Sequence, residues 1–189
     1  YGIDVINLSL GHPIFEPAAT DPLVQAVEAA VRAGLVVVVS AGNIGRNPTT
    51  GELGYAGITS PGNAPSAITV GALDTRGTIS RLDDVVTPYS SRGPSWFDAF
   101  AKPDVVAPGH GLVAAVSPTS TLATTLASMQ VGSEDLRLNG TSMATAVTSG
   151  VVACLRDARS SWPSWSIRRR AVRGSLSVSA LIVLRALKR

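Results

Sequence analysis

Hydrophobic positions along this chain fall into short continuous runs separated by helical stripes. Val5, Ile6, Leu8 and Leu10 make a largely apolar stretch stopped by Gly11, His12 and Pro13, which predicts a buried strand of a parallel sheet. Asp21-Pro22 opens a helical pattern, because Asp suits the cap and Pro the first helical position. Leu23, Ala26, Val27, Ala30 and Val31 supply its apolar stripe, and Gly34 ends it. Leu35 to Val39 is an unbroken, mostly β-branched run, a central strand by composition. Strand, helix and strand in this order form a right-handed crossover unit. Ala67 to Ala72 and Asp104 to Gly109 read as two further strands. From Gly140 a last helical pattern begins, with Met143, Val147, Gly150, Val151, Cys154 and Leu155 on one face. On that face Cys154 is expected as a small core residue. The alternation points to an α/β fold.

The connections are rich in turn residues. Ile44 to Gly62 is polar and glycine-rich, the place where a phosphate-binding loop would be sought. Gly42 and Gly45 do not have that loop's spacing, and no Gly-Lys-Ser/Thr follows, so nucleotide binding loses its main support. Asp83-Asp84 invites a metal reading, but adjacent carboxylates on a loop are more often solvated, and calcium needs six to eight oxygens. Trp96, Phe97 and Phe100 are expected as loop anchors, and Ser117 to Gln130 as a surface excursion. Asn-x-Ser/Thr sequons occur at Asn7 and Asn139. The first lies in an expected buried strand and the second abuts the last helix, so glycosylation is rejected at both.

Composition and charge change the picture mainly at the end of the chain. With 189 residues, 45% hydrophobic and 15% charged, the sequence suits one ordered domain, or a large part of one. The net charge of +3 conceals two parts: residues 1–150 carry 7 Lys/Arg against 12 Asp/Glu (−5), and residues 151–189 carry 9 against 1 (+8). The high pI therefore belongs to the tail and says little about the partners of the body, for which no nucleic acid is expected. No apolar run reaches the roughly 18 residues of a membrane span. No signal peptide opens the chain, which starts in the approach to a strand, as though sequence upstream were missing.

Candidate chemistry centres on Asn139-Gly140-Thr141-Ser142-Met143-Ala144-Thr145. Ser142 falls in the first helical turn, near unpaired backbone N–H groups and the positive end of the helix dipole. That setting favours negative charge developing beside the hydroxyl. Position alone would make Thr141 or Ser142 a helix cap. Three other segments reverse that reading: Asp4-Val5-Ile6-Asn7-Leu8-Ser9-Leu10-Gly11, Ser40-Ala41-Gly42-Asn43, and Lys102-Pro103-Asp104-Val105-Val106-Ala107-Pro108-Gly109. With Gly140-Thr141-Ser142-Met143-Ala144 they occur in the order found in subtilisin-like serine proteases (subtilases), and the chain resembles that family over about residues 1 to 155. Ala67-Ile68-Thr69-Val70-Gly71-Ala72 and Ser90-Ser91-Arg92-Gly93-Pro94 match further family segments.

The resemblance implies an α/β three-layer sandwich around a mainly parallel sheet, here incomplete, with residues 1–155 as the C-terminal portion of a catalytic domain. It implies peptide-bond hydrolysis, with Ser142 as nucleophile and Asn43 as the side-chain oxyanion donor. Ser9, Leu10 and Gly11 would pair with the polypeptide substrate like an added strand, while Ser40, Ala41 and Gly42 would line its side-chain pocket. No cofactor is required for this chemistry. Structural calcium is compatible with the family, though no ligand set is legible. The family also implies an extracellular or cell-envelope location.

Some of the family pattern is missing. Ala146 and Val147 stand where many members have Pro-His. His12 precedes a proline and His110 sits in a Gly-flanked loop; neither has the family's His-Gly-Thr-His setting, and Asp4 lacks its Asp-Thr/Ser-Gly turn. The acid and base are therefore expected upstream of Tyr1, and these 189 residues alone are expected to be inactive. After Leu155 the resemblance gives way to a basic tail (156–189) with Trp162, Trp165 and Arg168-Arg169-Arg170. A shifted reading frame would produce such a change, and so would a disordered extension. The main rival reading is a non-catalytic subtilase-like binding domain in which Ser142 only caps its helix. The other is an unrelated nucleotide-binding module.

Overall fold

The computed structural model describes residues 2–160; most of the basic tail, residues 161–189, lies outside the described residues. In chain order the elements are β1 (Val5–Leu8), α1 (Pro22–Arg32), β2 (Val36–Ser40), β3 (Ile68–Asp74), β4 (Val85–Val86), β5 (Val105–Pro108), β6 (Leu112–Ala115), α2 (Thr121–Thr125), β7 (Gln130–Val131), β8 (Asp135–Leu138) and α3 (Thr141–Ser160). Strands β1, β2, β3 and β5 are parallel neighbours in that order, and the short β4 runs antiparallel to the end of β3.

The layers follow from the two-residue period of β2. Val37 and Val39 point into one core with Val24 and Val27 of α1, while Val38 points into the other with Val70, Ala72, Ala107 and Ala144 of α3. A strand buried on both faces has no polar side to keep, which is why the Val36–Val39 run is continuous. The result is the expected α/β arrangement, helices on both faces of a mainly parallel sheet.

Helix α1 starts and stops where its sequence dictates. Asp21 Oδ1 accepts the Leu23 and Val24 N–H groups at 2.9 and 3.2 Å. At the other end Leu35 N–H reaches Ala30 O and Gly34 N–H reaches Val31 O, with Gly34 at φ +93°. That pairing is a Schellman stop, and its left-handed residue favours glycine. Burial alone would raise the Asp21 carboxyl pKa, but the Ser60 hydroxyl, the two amides and the charge of His12 together lower it. A lowered folded-state value means that the stabilisation is complete above the ordinary Asp range and is lost as pH falls through the lowered value. Asp21→Ala should cost about 1 kcal/mol of stability, read from the denaturant midpoint at neutral pH. Asp21→Asn keeps an accepting oxygen and should recover most of that loss; equal losses for the two variants would refute the cap.

Several expectations need correction. Among the described residues β1 pairs with β2 alone, and there Asn7 is exposed and Leu10 is half-exposed rather than buried. Within these residues alone, packing does not bury Asn7. Its amide is instead engaged: Nδ2 donates to Ser9 Oγ at 3.0 Å, and Oδ1 accepts from Ser149 Oγ at 2.9 Å. Cys154 is exposed as well. At about 100° per residue, the face that meets the sheet carries Thr141, Ala144, Thr145 and Val152, with Val147 at its edge, and Cys154 lies off it. Of the aromatic anchors only Phe100 packs against a core; Trp96 and Phe97 are exposed.

Two features were not foreseen. β6, β8 and β7 form a separate antiparallel sheet, with β8 delivering the chain to Gly140. Residues 57–64, within or beside the expected loop, are buried throughout. At the start of β5, Lys102 is buried with its Nζ 2.7 Å from Asp104 Oδ2 and 2.9 Å from Ala67 O, tying β5 to the segment that enters β3.

Candidate active site

The carboxyl ends of parallel strands are where α/β sheets gather ligands, and the candidate residues meet there. β1 runs out into Ser9-Leu10-Gly11 and β2 into Ala41-Gly42-Asn43, while α3 begins opposite them at Thr141. Hydrogen bonds join all three. Ser9 Oγ donates to Ser142 O at 3.0 Å, and Ser40 Oγ donates to Leu10 O at 3.2 Å. Gly42 N–H donates to Thr141 Oγ1 at 3.2 Å.

Asn43 makes the closest link to the helix. Its Oδ1 accepts from Thr141 N–H at 2.9 Å and from Thr141 Oγ1 at 3.0 Å. A backbone N–H can only donate, so Asn43 must turn its oxygen to Thr141, and this fixes which way the amide faces. Nδ2 is thereby left as a donor, 3.5 Å from the position a side chain on Gly140 would take. The Ser142 N–H has no helical acceptor either, because it lies in the first turn of α3, whereas the next two amides, of Met143 and Ala144, both reach Gly140 O. Two donors with uncommitted hydrogens thus flank Gly140, beside a half-buried Ser142. A nascent negative oxygen is what such a pair can bind.

The approach to Thr141 is fixed from below. Gly140 N–H donates to Gly109 O at 2.8 Å, and Tyr89 OH donates to the same carbonyl at 3.0 Å. Burial raises the Tyr89 phenol above its ordinary pKa, so it remains a neutral donor at pH 7. Gly109 has no space for a side chain: a Cβ there would lie 2.8 Å from both Ala72 Cβ and Gly140 O. This close approach is the physical use of the Pro108-Gly109 step at the end of β5.

Thr59, which sequence reasoning did not single out, lies against the candidate segments. Its side chain lies 2.5 Å from where a Cβ would sit on Gly11 and 2.8 Å from where one would sit on Gly42. It therefore closes the space between the Ser9–Gly11 and Ser40–Gly42 walls. A threonine in a glycine-rich stretch gives no signal of this; only the return of residues 57–60 beneath both walls does.

Neither histidine joins the cluster. His12 Nδ1 lies 2.7 Å from Pro13 O and its ring stacks on Phe15, while His110 stacks on Tyr89. Asp4 pairs with Arg156 at 2.7 Å. The Asp83-Asp84 pair is also engaged: Asp83 accepts from Thr78 Oγ1, and Asp84 lies 3.5 Å from Arg81 Nη1. Among the described residues no cluster of three or more His, Cys, Asp or Glu could hold a metal ion.

A family model described as the subtilase family matches residues 1–186. The chain belongs to the subtilase family. Among its relatives, "Serine protease AprX" of Bacillus subtilis (strain 168) is 42% identical over 155 residues, 81% of this chain and 33% of that protein. "Subtilisin E" of the same organism is 33% identical over 168 residues, 89% of this chain and 34% of that protein. The solved self-cleaved protease domain of PatA aligns with a TM-score of 0.55 at 25% identity, over 84% of this chain and 48% of that one. This subtilase chain therefore spans about a third of the length of these two curated relatives. The family match extends past Leu155, and helix α3 itself continues to Ser160.

Proposed function

We propose that these residues carry the nucleophile, oxyanion hole and peptide-binding walls of a subtilisin-like serine endopeptidase. The observation that carries the reading is the Asn43–Thr141 double hydrogen bond, which aims a spare amide donor at the helix turn bearing Ser142. In the proposed reaction Ser142 Oγ attacks the scissile carbonyl carbon. A hydroxyl is too weakly acidic to do so unaided near neutral pH, so a histidine must accept its proton and pass it to the leaving amine. The carbonyl oxygen becomes the oxyanion, held by Asn43 Nδ2 and the Ser142 N–H. Water then releases the acyl group by the same route. Ser9, Leu10 and Gly11 pair with the peptide backbone, and Ser40, Ala41 and Gly42 flank the side chain, with Thr59 beneath.

The base and its acid partner are assigned to chain outside these 189 residues, since His12 and His110 are occupied elsewhere. No cofactor enters the chemistry. The family's character favours work outside the cytoplasm, in the medium or the cell envelope. Protein expressed from the complete coding sequence should hydrolyse a chromogenic peptide, whereas the 189 residues alone should give no Ser142-dependent turnover. Loss of the histidine in a subtilisin costs about 10⁶ in kcat, which sets the scale. Turnover by the isolated 189 residues would overturn the assignment of the base. An inactive complete protein would favour the non-catalytic, peptide-binding reading instead.

A further inference from the structure

The loop that carries Asn43 leaves the sheet after Ala41, whose N–H still donates to Val70 O at 2.9 Å. β2 ends at Ser40, and beyond it the Asn43 side chain has only α3 on one side. What grips its backbone on the other side is the turn of residues 87–92. Ser91 meets both peptide groups that flank Asn43: its N–H donates to Gly42 O at 3.0 Å, and its Oγ accepts from Ile44 N–H at 3.2 Å. Gly45 N–H donates to Tyr89 O at 2.9 Å, and Arg92 Nη1 reaches Gly45 O and Ser90 O at 3.4 and 3.3 Å. The turn is itself anchored, because Ser90 Oγ accepts from Ala72 N–H in β3 at 3.0 Å. Ser90 and Ser91 are each only 1% exposed.

We propose that Ser91 is a positioning residue for Asn43, bracketing its two peptide bonds so that Nδ2 stays aimed at the oxyanion. The inference rests on the oxyanion role assigned to Asn43 above. The physical case is one of tolerance. A donor contributes when it stands within about 2.7–3.1 Å of the developing charge, and a displacement of about 1 Å can cost about 10² in rate. Asn43 is an exposed side chain beyond the end of a strand, so its Cα must be fixed by something other than the ladder. Thr141 fixes the tip of the side chain, and Ser91 fixes its root. Arg92 restrains the same loop one residue further on.

The test is a double-mutant cycle in the protein expressed from its complete coding sequence, read as kcat and KM for one peptide. Ser91→Ala leaves the bond from its own N–H and removes only the acceptor for Ile44. It should lower kcat about tenfold with KM nearly unchanged, the pattern of an interaction that matters in the transition state. In an Asn43→Ala background the same change should alter kcat less than about twofold, because the donor it positions is already gone. Equal losses in both backgrounds, or a rise in KM alone, would overturn the proposal and leave Ser91 a structural residue. If Asn43→Ala by itself leaves kcat unchanged, the oxyanion reading fails first and takes this inference with it. Should Ser91→Ala not fold, Arg92→Gln loosens the same loop at Gly45 O and is read through the same cycle with the same criteria.

Discussion

Replacing Ser142 by alanine in the complete protein will lower kcat for peptide hydrolysis by about 10⁶ while leaving substrate affinity nearly unchanged. The magnitude is carried over from a subtilisin; the direction follows from the geometry. Ser142 Oγ accepts and donates no hydrogen bond among the described residues, whereas Ser142 O accepts from Ser9 Oγ. Loss of the hydroxyl therefore breaks no contact that holds the walls together. Cap energetics allow a stability change of at most about 1–2 kcal/mol if the side chain also served the helix end. A variant that folds, binds peptide and fails to cut it is the expected result, read by calorimetry, inhibitor affinity and turnover together. If Ser142→Ala costs stability but not rate, the residue is a cap and its assignment as nucleophile fails.

Asn43→Ala should lower kcat by about 10²–10³, equivalent to about 2.7–4 kcal/mol of lost transition-state stabilisation. That range too is known from a subtilisin. This variant differs from the first in what it disturbs. Asn43 Oδ1 satisfies both Thr141 N–H and Thr141 Oγ1, so truncation also frees the start of α3. Asn43→Asp separates the two effects. An aspartate keeps the accepting oxygen and caps the helix N-terminus favourably, but it has no N–H to offer and brings a negative charge toward the oxyanion. Stability should thus recover in Asn43→Asp while kcat falls at least as far as in Asn43→Ala. Recovery of both would show that Asn43 acts only through the helix.

How much of this was legible in the sequence depended on whether the signal was local. The α1 boundaries were, because Asp21, Pro22 and Gly34 each act within one turn. The β2 run was, because a strand buried on both faces leaves no polar alternation to confuse it. Ser142, Asn43 and the Ser9–Gly11 and Ser40–Gly42 walls were readable as ordered family segments, and hydrogen bonds bring them together. β1 is less buried among the described residues than its run suggests, because Val5-Ile6-Asn7-Leu8 looks the same with one neighbouring strand as with two. Cys154 was misjudged by one step of helical phase. The β6–β8–β7 sheet was missed because its strands are two to four residues long and mostly exposed. What Thr59 and Ser91 touch was unreadable for a different reason, although Ser91 lies in a recognised family segment. Their contacts are made 17 to 49 residues away along the chain, with Gly11, Gly42 and Ile44, and no local pattern encodes those.

Covalent labelling with a fluorophosphonate is the most direct measurement, because it needs an activated serine and an oxyanion hole but no knowledge of the preferred peptide. The complete protein should acquire a single phosphonyl group, mapped by peptide mass spectrometry to Ser142, and Ser142→Ala should acquire none. An unlabelled complete protein, or a label on any other serine, would contradict the account.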